Sequence, residues 1–214
     1  MQPGAQLPRW VRDEVVHSTP KDRREAALNE LTKGLHEYAS GRFGPAAGAL
    51  ARAKDLSPRA ATIRELLGLS LYETGQWSRA LQELRTYRRL TGDSDHMANE
   101  LDCLRALKRH QDIEKTYNLF FELGGGRDSE DEVRVVFASH LLDEGDVNAA
   151  WQVIKPGRLV ANAPEGALRR WAVAARVAAA AGDTKSARQL IEAIRANGSD
   201  LPWLADLESQ LKLH

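Results

Sequence analysis

Of the 214 residues, 43% are apolar and 28% charged, a balance that supports a buried core and excludes a disordered chain. Lys plus Arg and Asp plus Glu number 30 each, so no global field draws in nucleic acid or an anionic membrane. With Cys103 as the single cysteine, no intramolecular disulfide and no stapled secreted framework can form.

Charge is less even locally: 111–150 holds ten acids against three bases, and 1–60 holds ten bases against seven acids. Solvated helix faces are the expected reading of both stretches, with an electrostatic docking patch as the alternative. The N-terminal residues show no apolar core followed by a cleavage site. The most apolar run, 172–181, falls well short of the roughly 18 residues a bilayer span needs, and Arg176 interrupts it. The expectation is a cytoplasmic protein without membrane association.

In chain order, 1–19 reads as a loose tail over Met1 to Gln6 followed by a short helix. Leu7, Trp10, Val11 and Val15 lie on one stripe of that helix, with Pro8 in its first turn. Thr19 before Pro20 suits the N-cap of the next helix.

From 20 to 123 three helical hairpins follow. Gly34, Gly41, Phe43, Ala46, Leu50, Leu56 and Pro58 recur 34 residues later as Gly68, Gly75, Trp77, Ala80, Leu84, Leu90 and Gly92. Small residues at Ala46 and Ala80 let paired helices approach, and the glycines permit tight turns or close crossings. Leu28, Leu31, Leu35 and Tyr38 form the apolar stripe of the first helix, and the N-terminal helix is expected to cover it with Leu7, Trp10 and Val11. A third, degenerate hairpin uses Met97, Leu101, Leu104 and Leu107, then Ile113, Tyr117, Phe120 and Leu123, with Asp102 in the glycine slot.

Gly124, Gly125 and Gly126 break the pattern, and 124–131 reads as a glycine-rich, acidic connector. Two more hairpins span 132–197. Phe137, Ala138 and Leu141 lead through Gly145 to Val147, Ala150 and Ile154, where Pro156 and Gly157 stop the helix. Trp171, Ala174, Ala175 and Ala178 lead through Gly182 to Ala187, Ile191 and Ile194. In 198–214 Asp200 is placed to cap a last helix, with Leu204, Leu207 and Leu211 inward and Asp206, Glu208 and Lys212 outward. No strand pattern is present, so the fold class is all-α.

Leu67-Gly68, Leu71, the turn at Gly75, then Trp77, Ala80, Leu84 and Tyr87 resemble the tetratricopeptide repeat (TPR) pattern, whose period is about 34 residues. The resemblance spans about 20–196. The first hairpin departs from it, since Glu30, Lys33 and Glu37 stand where a TPR usually has Trp, Leu and Tyr. With LPRWVRDEV and RTYRRLTG, the string is also similar to actinobacterial single-domain TPR proteins, which implies no particular activity. The resemblance implies a right-handed α-solenoid of about five hairpins between capping helices. It also implies a scaffold that binds a peptide or helix of another protein in a concave groove. The groove positions would be Tyr38, Glu65, Leu69, Tyr72, Asn99, Glu100, Cys103, Val135, Ser139, Arg169 and Arg176. The carboxylate-clamp positions of chaperone-binding TPRs would fall on Leu31, Leu35, Leu66, His96 and Glu100, which offer no cationic fork.

Chemistry finds little footing. His96, Cys103 and His110 are seven apart, a rise of roughly 10 Å per step, whereas zinc ligands converge within about 2.3 Å of one ion. Gly124-Gly125-Gly126-Arg127 lacks the Lys-Ser/Thr of a phosphate loop, and the spacing of Asp93, Asp95 and Glu100 is not that of a calcium loop. Asp143, Glu144 and Asp146 cluster at a turn, where capping and solvation explain them. The expectation is a non-enzyme with no catalytic residue, metal or cofactor. Arg79, Arg85, Arg88 and Arg89 with Tyr87 make RNA binding an alternative, and self-association through the acidic region or the end helix is another.

Overall fold

A computed structural model describes residues 7–198, 201 and 203–211, with the side chains of all of these except 127 and 128. The described chain is all-α, with no strand. Its helices are α1 (Arg9–Ser18), α2 (Arg24–Ala39), α3 (Phe43–Leu56), α4 (Ala61–Glu73), α5 (Trp77–Thr91), α6 (Met97–Ala106) and α7 (His110–Glu122). They continue as α8 (Arg127–Asp143), α9 (Val147–Ile154), α10 (Glu165–Ala180), α11 (Thr184–Asn197) and α12 (Leu204–Leu211), and a single 3-10 turn, Lys21–Arg23, precedes α2. Two compact units divide the chain, Met1–Asp112 and Ile113–His214. The division falls within α7 and not at the three glycines. Residues 127–131 belong to α8, so the connector expected over 124–131 is only its glycine part. Among the described residues no helix is long and apolar enough to cross a membrane.

In the first unit each helix packs on the next in sequence, α2 on α3, α3 on α4, α4 on α5 and α5 on α6. The bends between paired helices are built alike. Gly41 (φ +71°) donates to Tyr38 O at 2.9 Å while Arg42 N–H donates to Glu37 O at 2.9 Å. Gly75 (φ +70°) donates to Tyr72 O at 2.9 Å while Gln76 N–H donates to Leu71 O at 2.9 Å. A positive φ is strained for residues with a side chain. Lys108 nevertheless makes the third bend at φ +55°, with Lys108 N–H to Arg105 O at 3.0 Å and Arg109 N–H to Leu104 O at 2.9 Å. The turn after α6 therefore keeps the hydrogen-bond pattern of the first two bends without their glycine.

The other recurrent glycine serves close approach. A Cβ on Gly34 would lie 2.5 Å from Leu50 Cγ, and one on Gly68 would lie 2.7 Å from Leu84 Cδ2, 2.9 Å from its Cγ and 3.3 Å from its backbone N. Gly68→Ala gains about 1 kcal/mol of helix propensity but forces Leu84 off α4 at a cost of about 1–3 kcal/mol. Net destabilisation of about 1 kcal/mol is expected. In a Leu84→Ala background the same methyl fills space and should stabilise. Urea unfolding of the four corners of this cycle measures the reversal, and equal effects in both backgrounds would refute the close-approach argument.

Helix α1 packs on α2, as expected, and buries Val11 and Val15, but Trp10 is 65% exposed and does not join that contact as a buried residue. The anchor is Glu14, whose Oε1 accepts from Ala61 N and, at 3.2 Å, from Thr62 N, while its Oε2 accepts from Thr62 Oγ1 at 2.5 Å. A carboxylate from α1 thus caps the α4 N-terminus, where free N–H groups and the helix dipole favour it. Thr19 is not the expected cap of α2, because its hydroxyl is buried and donates to Ser57 Oγ at 2.6 Å. On α2 the inward residues are Ala27, Leu31 and Gly34, and Leu28, Leu35 and Tyr38 are only half-buried.

In the second unit α8 packs on α9 and α10, and α10 also packs on α9, α11 and α12. Leu168, Trp171, Ala174, Ala175, Val177, Ile191 and Ile194 form much of its core. Because Pro156 ends α9 after eight residues, its last carbonyls need outside donors. Arg134 Nη1 donates to Val153 O at 3.0 Å, Arg170 Nε to Ile154 O at 2.6 Å, and Trp171 Nε1 to Pro156 O at 3.0 Å. Asp146 caps α9 as the turn composition suggested, accepting from Ala149 N at 2.9 Å, and Asp183 caps α11 from Ser186 N at 3.0 Å.

Asn197 straps the loop after α9, accepting from Ala163 N at 2.8 Å and donating to Val160 O at 3.0 Å. On α7 Ile113 and Phe120 are buried but Leu123 is exposed, so the expected stripe ends early. Helix α12 buries Leu204 and Leu207, and Glu208 accepts from Arg195 at 2.6 Å. The tail Met1 to Gln6, the Asp200 cap and the outward Lys212 lie outside the described residues.

Candidate functional site

The groove positions named from sequence divide between the units, and three of them are interior. Glu100 is 1% exposed and accepts from Arg88 Nε at 2.8 Å and Nη2 at 3.1 Å, with Arg85 Nε 3.5 Å away. This ion group joins α5 to α6 and presents nothing to a ligand. Cys103 is buried, and burial, with Asp102 and Glu100 nearby, pushes its thiol up to about 12. Such a thiol stays protonated and unreactive. Ser139 is buried as well. The spacing of these residues fits a groove-facing phase, but the actual helix rotation turns them inward.

In the second unit Val135 packs against the core and Arg176 is half-buried on α10. Arg169 is exposed, 2.7 Å from Glu165 Oε1 and 3.4 Å from Glu132 Oε1. These do not assemble a recognisable chemistry.

The first unit does bring a set together. Tyr38, at the end of α2, meets Phe43 edge-on with ring centroids 5.3 Å apart, and Tyr72, at the end of α4, meets Trp77 the same way at 5.4 Å. The two pairs stand one sequence period apart, so the repeat places equal aromatic rungs on successive hairpins. Tyr72 OH donates to Asp102 Oδ2 at 2.7 Å, tying α4 to α6. Asp102 stands in the slot that glycine fills in the first two hairpins, and this hydrogen bond gives its side chain a use. Leu69 and Asn99 are half-buried on α4 and α6. Glu65 Oε1 lies 2.9 Å from His96 Nε2, and the His96 ring lies 5.4 Å from that of Tyr87. Tyr87 OH in turn donates to Asp93 Oδ2 at 2.9 Å.

The field over this set is negative. Burial raises the pKa of Tyr38, and Glu73 and Glu65 raise it further. Burial and the Asp102 hydrogen bond raise Tyr72, and burial with Asp93 and Glu65 raises Tyr87. For His96 burial pulls the pKa down, but Glu65, Asp93 and Asp95 outweigh it and the net direction is up from 6.5. A histidine raised above its unfolded value contributes stability that is complete below about pH 6.5 and is lost as pH climbs through the folded value. The first unit is therefore expected to become less stable over that window, and His96→Gln to flatten the dependence. Imidazole titration by NMR with urea midpoints at several pH values checks both, and a His96 pKa below 6.5 would reverse the sign.

The basic group on α5 is occupied in part, since Arg79 and Arg89 are exposed and meet only neutral side chains. Arg85 and Arg88 face Glu100, Arg79 Nη1 donates to Gln76 Oε1 at 2.5 Å, and Arg89 Nη2 lies 3.4 Å from Thr86 Oγ1. Of the chaperone-clamp positions, Leu31 and Glu100 are buried and His96 faces Glu65. The roles of Glu14 and of the His96–Glu65 pair were not legible in the sequence, since each depends on a partner distant in the chain. Comparison of the chain with protein-family models gives no match, and comparison with curated proteins gives none either.

Proposed function

We propose that the chain is a non-enzymatic, cytoplasmic adaptor of the TPR type, a right-handed solenoid of about five helical hairpins that binds a peptide or helix of another protein. The observation that carries this reading is the recurrence of geometry at the sequence period. Gly34 against Leu50, the Gly41 bend and the Tyr38–Phe43 pair return as Gly68 against Leu84, the Gly75 bend and the Tyr72–Trp77 pair. Stacked units of this kind hide the flank that one hairpin cannot hide alone and leave the face of their first helices for a partner. On this face Tyr38, Leu69 and Tyr72 serve as apolar anchors, and Glu65 and Asn99 set orientation.

RNA binding is the weaker reading, because two of the four α5 arginines are committed to Glu100. The test is binding of a partner segment, mapped from proteins captured in the native host, to the purified chain and to Tyr72→Ala/Glu65→Lys. Loss of binding with an unchanged circular dichroism spectrum is expected. Unchanged affinity would remove this face from consideration, and affinity for RNA that falls steeply with salt would favour the alternative.

A further inference from the structure

We propose that Asn197, half-buried at the end of α11, is a site of spontaneous deamidation whose conversion unfastens the loop between α9 and α10. The proposal goes beyond the adaptor reading and does not depend on what the chain binds.

The loop 155–164 carries no helix. Arg170 and Trp171 hold its first residues through Lys155 O and Pro156 O, and Asn197 fastens its later part. Asn197 Oδ1 accepts from Ala163 N at 2.8 Å, while Nδ2 donates to Val160 O at 3.0 Å and to Ala193 O at 2.9 Å. A carboxamide suits this place because it turns oxygen to the N–H and N–H to the two carbonyls. A carboxylate keeps the first bond but sets an oxygen against two carbonyl oxygens, so two bonds become repulsive contacts.

The next residue opens the route to that change. Of the six asparagines in the chain only Asn197 precedes a glycine, whose backbone turns freely and whose nitrogen no side chain shields. Gly198 N attacks Asn197 Cγ. The N–Cγ bond forms, the Cγ–Nδ2 bond breaks, and the amide leaves as ammonia with the proton from Gly198 N. Water then opens the succinimide at Cγ to give aspartate, or at the main-chain carbonyl to give isoaspartate. One water enters, one ammonia leaves, and nothing is oxidised. In the closed structure Gly198 N–H donates to Arg195 O at 3.2 Å and three hydrogen bonds hold the carboxamide. Ring closure therefore waits for the last turn of α11 to open, as helix ends do most readily. Once converted, the strap cannot be refastened when the helix recloses.

The experiment incubates the full chain in neutral buffer and follows each asparagine by peptide mapping with mass spectrometry. Conversion at Asn197 and at no other asparagine is expected, about tenfold faster in the urea-unfolded chain, where no strap holds the amide. In Gly198→Ala the added Cβ meets no described atom closer than Leu201 Cγ at 3.9 Å, so the strap should persist. Conversion should slow about tenfold in that variant, because a side chain now shields the attacking nitrogen. The converted chain, separated by its added negative charge, should exchange the Ala163 amide about tenfold faster and unfold at lower urea, as should Asn197→Asp. The converted native chain supplies that comparison even where Asn197→Asp does not fold. A folded chain that keeps Asn197 intact while the urea-unfolded chain converts would overturn the proposal. So would a converted chain whose Ala163 exchange and urea midpoint equal those of the unconverted one.

Discussion

Trp171→Ala is expected to destabilise the second unit by about 4 kcal/mol, near the upper range for a buried aromatic. The ring is 1% exposed at the centre of the α8–α10–α11 core, so truncation leaves a cavity bounded by side chains with little freedom to collapse. Half of the other buried residues on α10 are alanines, too short to move into the space. A second loss comes with it, because Trp171 supplies the donor for Pro156 O at the point where α9 is cut short. Trp171→Phe reduces the cavity contribution, retaining most of the burial while losing the hydrogen bond and the smaller part of the ring, for about 1–2 kcal/mol. Urea unfolding followed by far-ultraviolet circular dichroism gives both values. A loss below about 1 kcal/mol for the alanine variant would mean that this core is loosely packed.

Glu100→Ala should cost the first unit about 3 kcal/mol, because it strands Arg88 and Arg85 beside a site their partner has left. Asp13→Asn breaks an ion pair of the same kind, Arg9 with Asp13, whose side chains are 95% and 57% exposed. There water already solvates both charges, and a change within about 0.5 kcal/mol is expected. Burial decides between the two cases. Glu83, which pairs with Lys54 at 3.0 Å and with Arg64, should behave like Glu100. Urea midpoints of the three variants rank them, and an order that ignores burial would contradict the electrostatic argument. Glu100 engages Arg85 and Arg88, so two of the α5 arginines that suggested a nucleic-acid surface tie α5 to α6 instead.

Much of the fold was legible along the chain because its information is local. Helix existence, the Gly41, Gly75, Gly145 and Gly182 bends, the stop at Pro156 and the alanine packing of α10 follow from periodicity, φ preference and side-chain volume. These depend on residues a few positions apart. The phase of a helix about its own axis is less local. Glu100, Cys103 and Ser139 were assigned to a face by register within the repeat, and neighbouring helices turned them inward.

What the sequence by itself determined is the set of helices, their turns and a 34-residue rhythm, because each is enforced by near neighbours and by one residue's own backbone. Only the tertiary structure decided that Glu14 caps α4, that Asp102 holds Tyr72, that His96 meets Glu65 and that Trp10 stays in solvent. Those pairings join residues tens of positions apart, and side-chain identity carries no trace of a partner until packing brings the two within reach.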